Sequence, residues 1–349
     1  MIAHPMSIHT DRFYQSIAKQ FCPILYLHSD EQYFPCTIEY VISHCRLIYT
    51  DITSHQSTDL YHNISITDTQ QRLDILSTCC TGNTNKDQHR QYRIHVAPHT
   101  RGGYLPQSLT LHPDTTQHNN AIGLYDTTNG HTNHHIVRTL DYAPIYVQIR
   151  TADIDTRIYI DIVYHIYCAY NGPLVLFGHA ISRSAHDSDY EHITVRINIS
   201  DMNSPCIYAV YLSQHGDNDG EWLLANKLQY EYDHLTQYQH PVIYSSRYGH
   251  SNHSRSGTYI VGSGIANEYC NKGYRWSPAS NIIMLTHNPD IHSVRWLFYH
   301  GLYAPCGIDS LQCKSYWSHS EPMKSNGLLR RVIFGNRLNH RYLFNNTLK

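Results

Sequence analysis

No stretch of this 349-residue chain approaches the roughly 18 consecutive apolar residues of a membrane-crossing helix, so no transmembrane anchor is expected. Met1-Ile2-Ala3-His4-Pro5-Met6 lacks the basic and apolar regions of a secretory signal, and the expectation is a soluble chain, cytoplasmic by default. Charge is scarce: 15% of residues are Asp, Glu, Lys or Arg, with a formal net charge of -2. That balance gives no global electrostatic reason to expect nucleic acid or an anionic membrane as partner. The ten cysteines form no CxxC pair, which excludes a zinc finger and leaves mostly reduced thiols as the expectation. HExxH and P-loop patterns are missing, and Gly262-Ser263-Gly264 falls short of a nucleophile elbow. Asp217-Asn218-Asp219-Gly220 begins like a calcium loop, but Trp222 and Leu228 stand where that loop needs Gly and Glu.

Histidine and tyrosine are abundant instead, at 28 and 30 residues, so imidazoles and phenols supply solvation usually left to Lys and Glu. With 41% hydrophobic residues the chain can bury a sizeable core. Phe13, Ile17 and Phe21 recur at helical spacing after Thr10-Asp11, which predicts a short amphipathic helix capped there. Cys22 to Leu27 reads as a strand, and Ile38, Val41, Ile42 and Cys45 predict a second helix. Residues 52–135 are polar and poorly periodic, a loop-rich insertion with one short helix expected around 71–76. Beyond Tyr142 the pattern alternates. Strands are expected over 145–149, 158–170, 191–199, 206–212, 242–244, 259–261 and 282–285. Short extended runs broken by Gly, Pro, Asn and Asp predict a mainly β fold: one antiparallel β-sandwich domain over 1–349, with a few peripheral helices.

The densest chemistry lies in His186-Asp187-Ser188-Asp189-Tyr190-Glu191-His192. Alternation puts Asp189 and Glu191 on one strand face with Ile193, Val195 and Ile197, and His192 on the other. Carboxylates that continue an apolar row need a partner. Three readings stay open: a divalent cation held by His186, Asp189 and Glu191, a closed hydrogen-bond network, or proton-transfer catalysis. Oxygen donors favour Mg²⁺ or Ca²⁺, nitrogen donors Zn²⁺. Asn171, His215 and His250 stand at strand ends that could meet the same pocket as ligand-binding residues.

Together with Pro23-Ile24-Leu25-Tyr26-Leu27-His28-Ser29-Asp30-Glu31, Phe34-Pro35, Tyr170-Asn171-Gly172-Pro173, Ser213-Gln214-His215-Gly216-Asp217 with Gly220-Glu221-Trp222, His240 to Tyr244, Gly249-His250-Ser251 and Trp296 to Gly301, this heptad resembles the vacuolar protein sorting-associated protein 62 family. The D-aromatic-E core is more distantly similar to the heptapeptide of necrosis-inducing toxins. That similarity implies a β-sandwich with a divalent cation at Asp189 and Glu191, with His186 beside them and Asn171 near an upstream acid. The leading functional expectation is a non-enzymatic binding or structural protein with an acidic and histidine pocket for a divalent cation or polar ligand, such as a glycan. The alternatives are a secreted toxin-like, membrane-engaging protein and a metal-dependent hydrolase. A protein partner or an assembly role also fits.

Overall fold

The computed structural model describes residues 8–38, 45–51, 57–59, 90–96, 140, 143–154, 157–176, 179–181, 186–201, 203–214, 220–261, 266–285 and 302–303. His215, the expected helix at 71–76 and most of 52–135 lie outside them.

Helix α1 (Ile8–Gln20) begins two residues before Thr10, so Thr10-Asp11 sits inside its first turn and does not cap it. Its Ile17 and Ala18, followed by Phe21, turn inward to the core. Of the second expected helix, Ile38 is helical, 39–44 lie outside the described residues, and Cys45 already opens a strand. Two strands fall inside the stretch read as loop-rich, β3 (Ser57–Asp59) and β4 (Arg90–Val96).

The larger sheet runs β11 (Glu221–Leu224), β10 (Cys206–Leu212), β9 (His186–Asn198), β6 (Arg157–Asn171), β5 (Ile145–Ile154) and β18 (Ile282–Met284). Facing it is β12 (Gln229–Asp233), β13 (Tyr238–Ser245), β1 (Ile24–Leu27) and β17 (Tyr274–Trp276), with β14 (Asn252–His253) pairing with β13. Alternation explains the core between them. Ile160, Ile162, Tyr164, Ile166 and Cys168 of β6 share a face with Ile193, Val195 and Ile197 of β9. Against them pack Leu25, Leu27, Ile243 and Trp276 of the other sheet. Each of these fully buried aliphatic side chains contributes about 1.5–3 kcal/mol of transfer free energy.

Two smaller sheets complete the described architecture. One is β15 (Gly257–Val261), β16 (Ala266–Cys270), β7 (Leu174–Leu176) and β8 (His179–Ile181); the other is β19 (Leu302–Tyr303), β4, β2 (Cys45–Asp51) and β3. The expected β-sandwich is present, although its sheets are mixed: β1 with β13 and β5 with β18 are parallel pairs, as is β4 with β19 in the smaller sheet. The outer face of the large sheet is polar and aromatic. There Arg196 holds Asp161 through two bonds of 2.7 and 2.8 Å, and Trp222 covers the guanidinium at 4.5 Å.

Candidate functional site

At one end of the interlayer core the apolar row of β9 gives way to Glu191 and then Asp189, facing the sheet that carries β13 and β14. Register places Asp189 directly opposite Cys168 and Glu191 opposite Ile166. The polar groups therefore extend the same space that the aliphatic side chains fill.

The opposing wall is a turn, Ser246 to Ser251, in which Tyr248 and His250 both take left-handed backbone angles, φ 67° and 54°. Side chains with a Cβ seldom adopt such angles, and the turn is held by hydrogen bonds at both ends. Ser246 N–H donates to Ser251 O, and Tyr248 N–H donates to the Glu31 carboxylate at 2.8 Å. Glu31, buried after β1, also accepts from the N–H groups of Gln32 and Tyr33, which clips the two loops together. A third loop joins through Gly172, whose N–H donates to Tyr248 O. A Cβ on Gly172 would lie 2.4 Å from the Tyr33 ring, so only glycine permits that approach.

The left-handed angle turns His250 inward. Its Nδ1 lies 2.7 Å from Asp189 Oδ2, and its Nε2 donates to the Tyr33 carbonyl at 2.8 Å, with Glu31 at 3.6 Å. Burial acts to lower the affinity of this imidazole for its second proton, but the Glu31 carboxylate and the hydrogen bonds to Asp189 and to the Cys168 sulfur outweigh it and raise its pKa well above the ordinary range. A carbonyl can only accept, so Nε2 carries a proton, and the raised pKa puts a second on Nδ1. The pair is thus imidazolium and carboxylate, both buried.

Glu191 is held differently. The Ser213 hydroxyl donates to its Oε2, and Ser213 in turn accepts from the His192 N–H at 3.1 Å and from the Asn252 amide at 3.2 Å. Burial and the nearby Asp189 carboxylate push its pKa well up, against the lowering effect of the Ser213 bond. Asn252 is fully buried, and its Oδ1 has no hydrogen-bond partner among the described residues. Next to it, Glu268 accepts from Ser251 Oγ at 2.5 Å and His253 Nε2 at 2.9 Å, while the His253 ring stacks on Tyr259 at 3.8 Å. The position a Cβ would take on Gly249 is 3.6 Å from Glu268 Oε1 and 3.8 Å from Asn171 Oδ1, so Asn171 reaches the same corner.

Of the residues the sequence singled out, Asp189 and His250 are joined directly, and Glu191 and Asn171 lie beside them. His186 opens β9 opposite Asn171, with its side chain outside the described residues, as is the whole of His215. His192 lies on the other face, stacked on Tyr211. Glu268 and Asn252 escaped notice in the sequence. Glu268 alternates in step with the buried Cys270, the same signal that marked Asp189, but in a strand too short to display a row. No group of three or more His, Cys, Asp or Glu among the described residues is arranged to hold a metal ion.

The model of the family described as vacuolar protein sorting-associated protein 62 matches residues 112–303, more than half of the chain and the whole of the β9 heptad. No curated protein matches it. Among solved structures, the crystal structure of the non-toxic HaNLP3 protein aligns with 87% of this chain and 85% of that chain. Identity is 11% and the TM-score 0.35, a superposition too loose to carry any reading of this chain.

Proposed function

This chain belongs to the vacuolar protein sorting-associated protein 62 family, and within it we propose a non-enzymatic binding protein whose acidic and histidine pocket takes a divalent cation or a polar ligand. One observation carries the reading. Asp189 is paired with His250, Glu268 accepts from Ser251 and His253, and Glu31 accepts from three backbone N–H groups, whereas Glu191 meets a single neutral hydroxyl among the described residues. A carboxylate so placed either keeps its proton or gains a cation. The ligating atoms offered there, the Ser213 hydroxyl and Asn252 Oδ1, which has no partner among the described residues, are oxygens, which suits Mg²⁺ or Ca²⁺ better than Zn²⁺. His186, Asn171 and His215 are the further residues proposed to border the ligand.

The neighbourhood argues against covalent catalysis. Cys168, His250 and Asp189 supply the residue types of a nucleophilic triad, yet burial pushes the Cys168 thiol up, and His250 Nε2 is committed to the Tyr33 carbonyl. A thiolate is the reactive form, and here it is disfavoured.

The test is thermal melting of the full chain with added MgCl₂, CaCl₂ or ZnCl₂. Stabilisation by Mg²⁺ or Ca²⁺ that disappears in Glu191→Gln is the expected result, since a ligand bound to the folded state raises Tm by mass action. Equal stabilisation of wild type, Glu191→Gln and Asp189→Ala removes the cation. A second reading, a closed structural network, is favoured by the seal that His250 makes between Asp189 and Tyr33. Under it no cation or polar ligand alters the melt.

A further inference from the structure

Four of the five exposed large hydrophobic side chains among the described residues, Tyr230, Tyr232, Leu235 and Tyr238, fall on one hairpin formed by β12 and β13. Leu235, 83% exposed, caps its turn. Register sorts the three rings onto both faces of the hairpin. Tyr230 and Tyr232 lie opposite Pro241 and Gln239, while Tyr238 lies opposite Asp233 on the other side. The rings on the first side are fixed, because Tyr230 donates to Ala225 O at 3.1 Å and Tyr232 to Gln237 Oε1 at 2.8 Å.

Charge is absent from the apex. His234-Leu235-Thr236-Gln237-Tyr238-Gln239 contains no Asp, Glu, Lys or Arg, and the acids just before it turn away. Asp233 is buried against Arg275 and Ser277, and Glu231 is bound by Arg275 and Tyr26. These ties anchor the turn, so its apolar crown is presented on a rigid base. At their fractional exposures the four side chains together leave about 300–500 Å² bare, taking 150–250 Å² for each when fully exposed. That falls short of the about 800 Å² per partner of a stable protein interface and matches the largest apolar patch of an ordinary monomer, a feature that is often functional.

We propose that this hairpin, tip first, enters the interface of a neutral lipid surface, with Leu235 among the acyl chains and Tyr230, Tyr232 and Tyr238 at headgroup depth. Tyrosine belongs at that depth because its ring is apolar and its hydroxyl wet. Rings on both faces of a hairpin suit edge-on insertion; a flat partner would engage one face only. The uncharged apex selects zwitterionic over anionic lipid as the sufficient surface. One hairpin of this size gives weak, reversible attachment, and the chain's second signal for stable anchoring would be avidity or another site.

The test is co-flotation of the full chain with phosphatidylcholine vesicles, with Leu235→Trp as an emission probe. Partition into the vesicle fraction and a blue-shifted Trp signal quenched by brominated lipid are expected. Leu235→Glu should lower partition by about tenfold, and Tyr232→Ser combined with Tyr238→Ser should lower it similarly. Ile260→Glu, at the exposed apolar residue away from the hairpin, should leave it unchanged. Because Leu235 is so exposed, its variants retain the fold, which circular dichroism verifies. Three results overturn the proposal: no partition by the wild type, equal partition by Leu235→Glu, or a hairpin-dependent signal found only in self-association or on immobilised glycans. None of them bears on Glu191, so the cation reading is tested separately.

Discussion

His250 and Asp189 decide the energetics of the site at the residue scale. Both are buried and joined at 2.7 Å, and the imidazolium has lost its water. Removing one partner of such a pair leaves the other charge uncompensated, which costs about 3–5 kcal/mol. Asp189→Ala should therefore shift the urea midpoint to that extent, whereas Asp189→Asn, which keeps an acceptor for Nδ1, should cost less. A loss under about 1 kcal/mol for Asp189→Ala would mean that His250 is neutral and the pair is an ordinary hydrogen bond. Glu191 differs because its partner is a hydroxyl. Glu191→Gln should be tolerated in the absence of ligand, since the amide accepts from Ser213 as the carboxyl does.

At the scale of elements, the strands with room to alternate were legible. The expected 206–212 strand is β10 residue for residue, and the one-face row from Asp189 to Ile197 is the edge and core of β9. Cys45 shows why other elements were not. Ile38, Val41, Ile42 and Cys45 satisfy helical spacing, but apolar residues so spaced are equally able to end one element and begin the next, and pairing with β4 wins at Cys45. Parallel partners such as β1 and β13 are more than 200 residues apart, and no local pattern records that register. The site divides the same way. Asp189 and Glu191 announce themselves by interrupting an apolar row, whereas Asn252 acquires its role only when β14 is folded against β9. Close packing between β1 and β17 gives a further test. A Cβ on Gly273 would lie 2.3 Å from Ser29 N and 2.5 Å from Leu27 O, both backbone atoms that cannot rotate away. Gly273→Ala should cost at least about 1–3 kcal/mol, read as a lowered Tm. An unchanged Tm would show that the β1 and β17 ladder shifts freely.

For the whole molecule, acids and histidines buried in different parts of the fold give a stability that depends on pH in two opposed ways. His28 and His240, whose pKa values burial lowers, resist protonation in the fold, so their contribution is lost as pH falls below the ordinary 6.5. Glu191 and His250 work in the other direction. Both hold their protons more tightly folded than unfolded, so their contributions are full below the ordinary 4.5 and 6.5 and are lost as pH rises through the elevated folded values. Glutamine at 191 never titrates. The stability of Glu191→Gln relative to wild type should therefore climb steadily between about pH 5 and about pH 8 when a chelator is present, because only the wild type must then bury a developing charge. Added Mg²⁺ or Ca²⁺ should flatten that climb, since a bound cation lowers the cost of ionising Glu191 in the wild type and finds no charge to pair with in the variant. Chemical denaturation of both proteins across this range, with and without the cation, separates the outcomes. A difference that is constant with pH would mean Glu191 is solvated as in the unfolded chain, and a climb that the cation leaves untouched would leave the carboxyl to Ser213 alone.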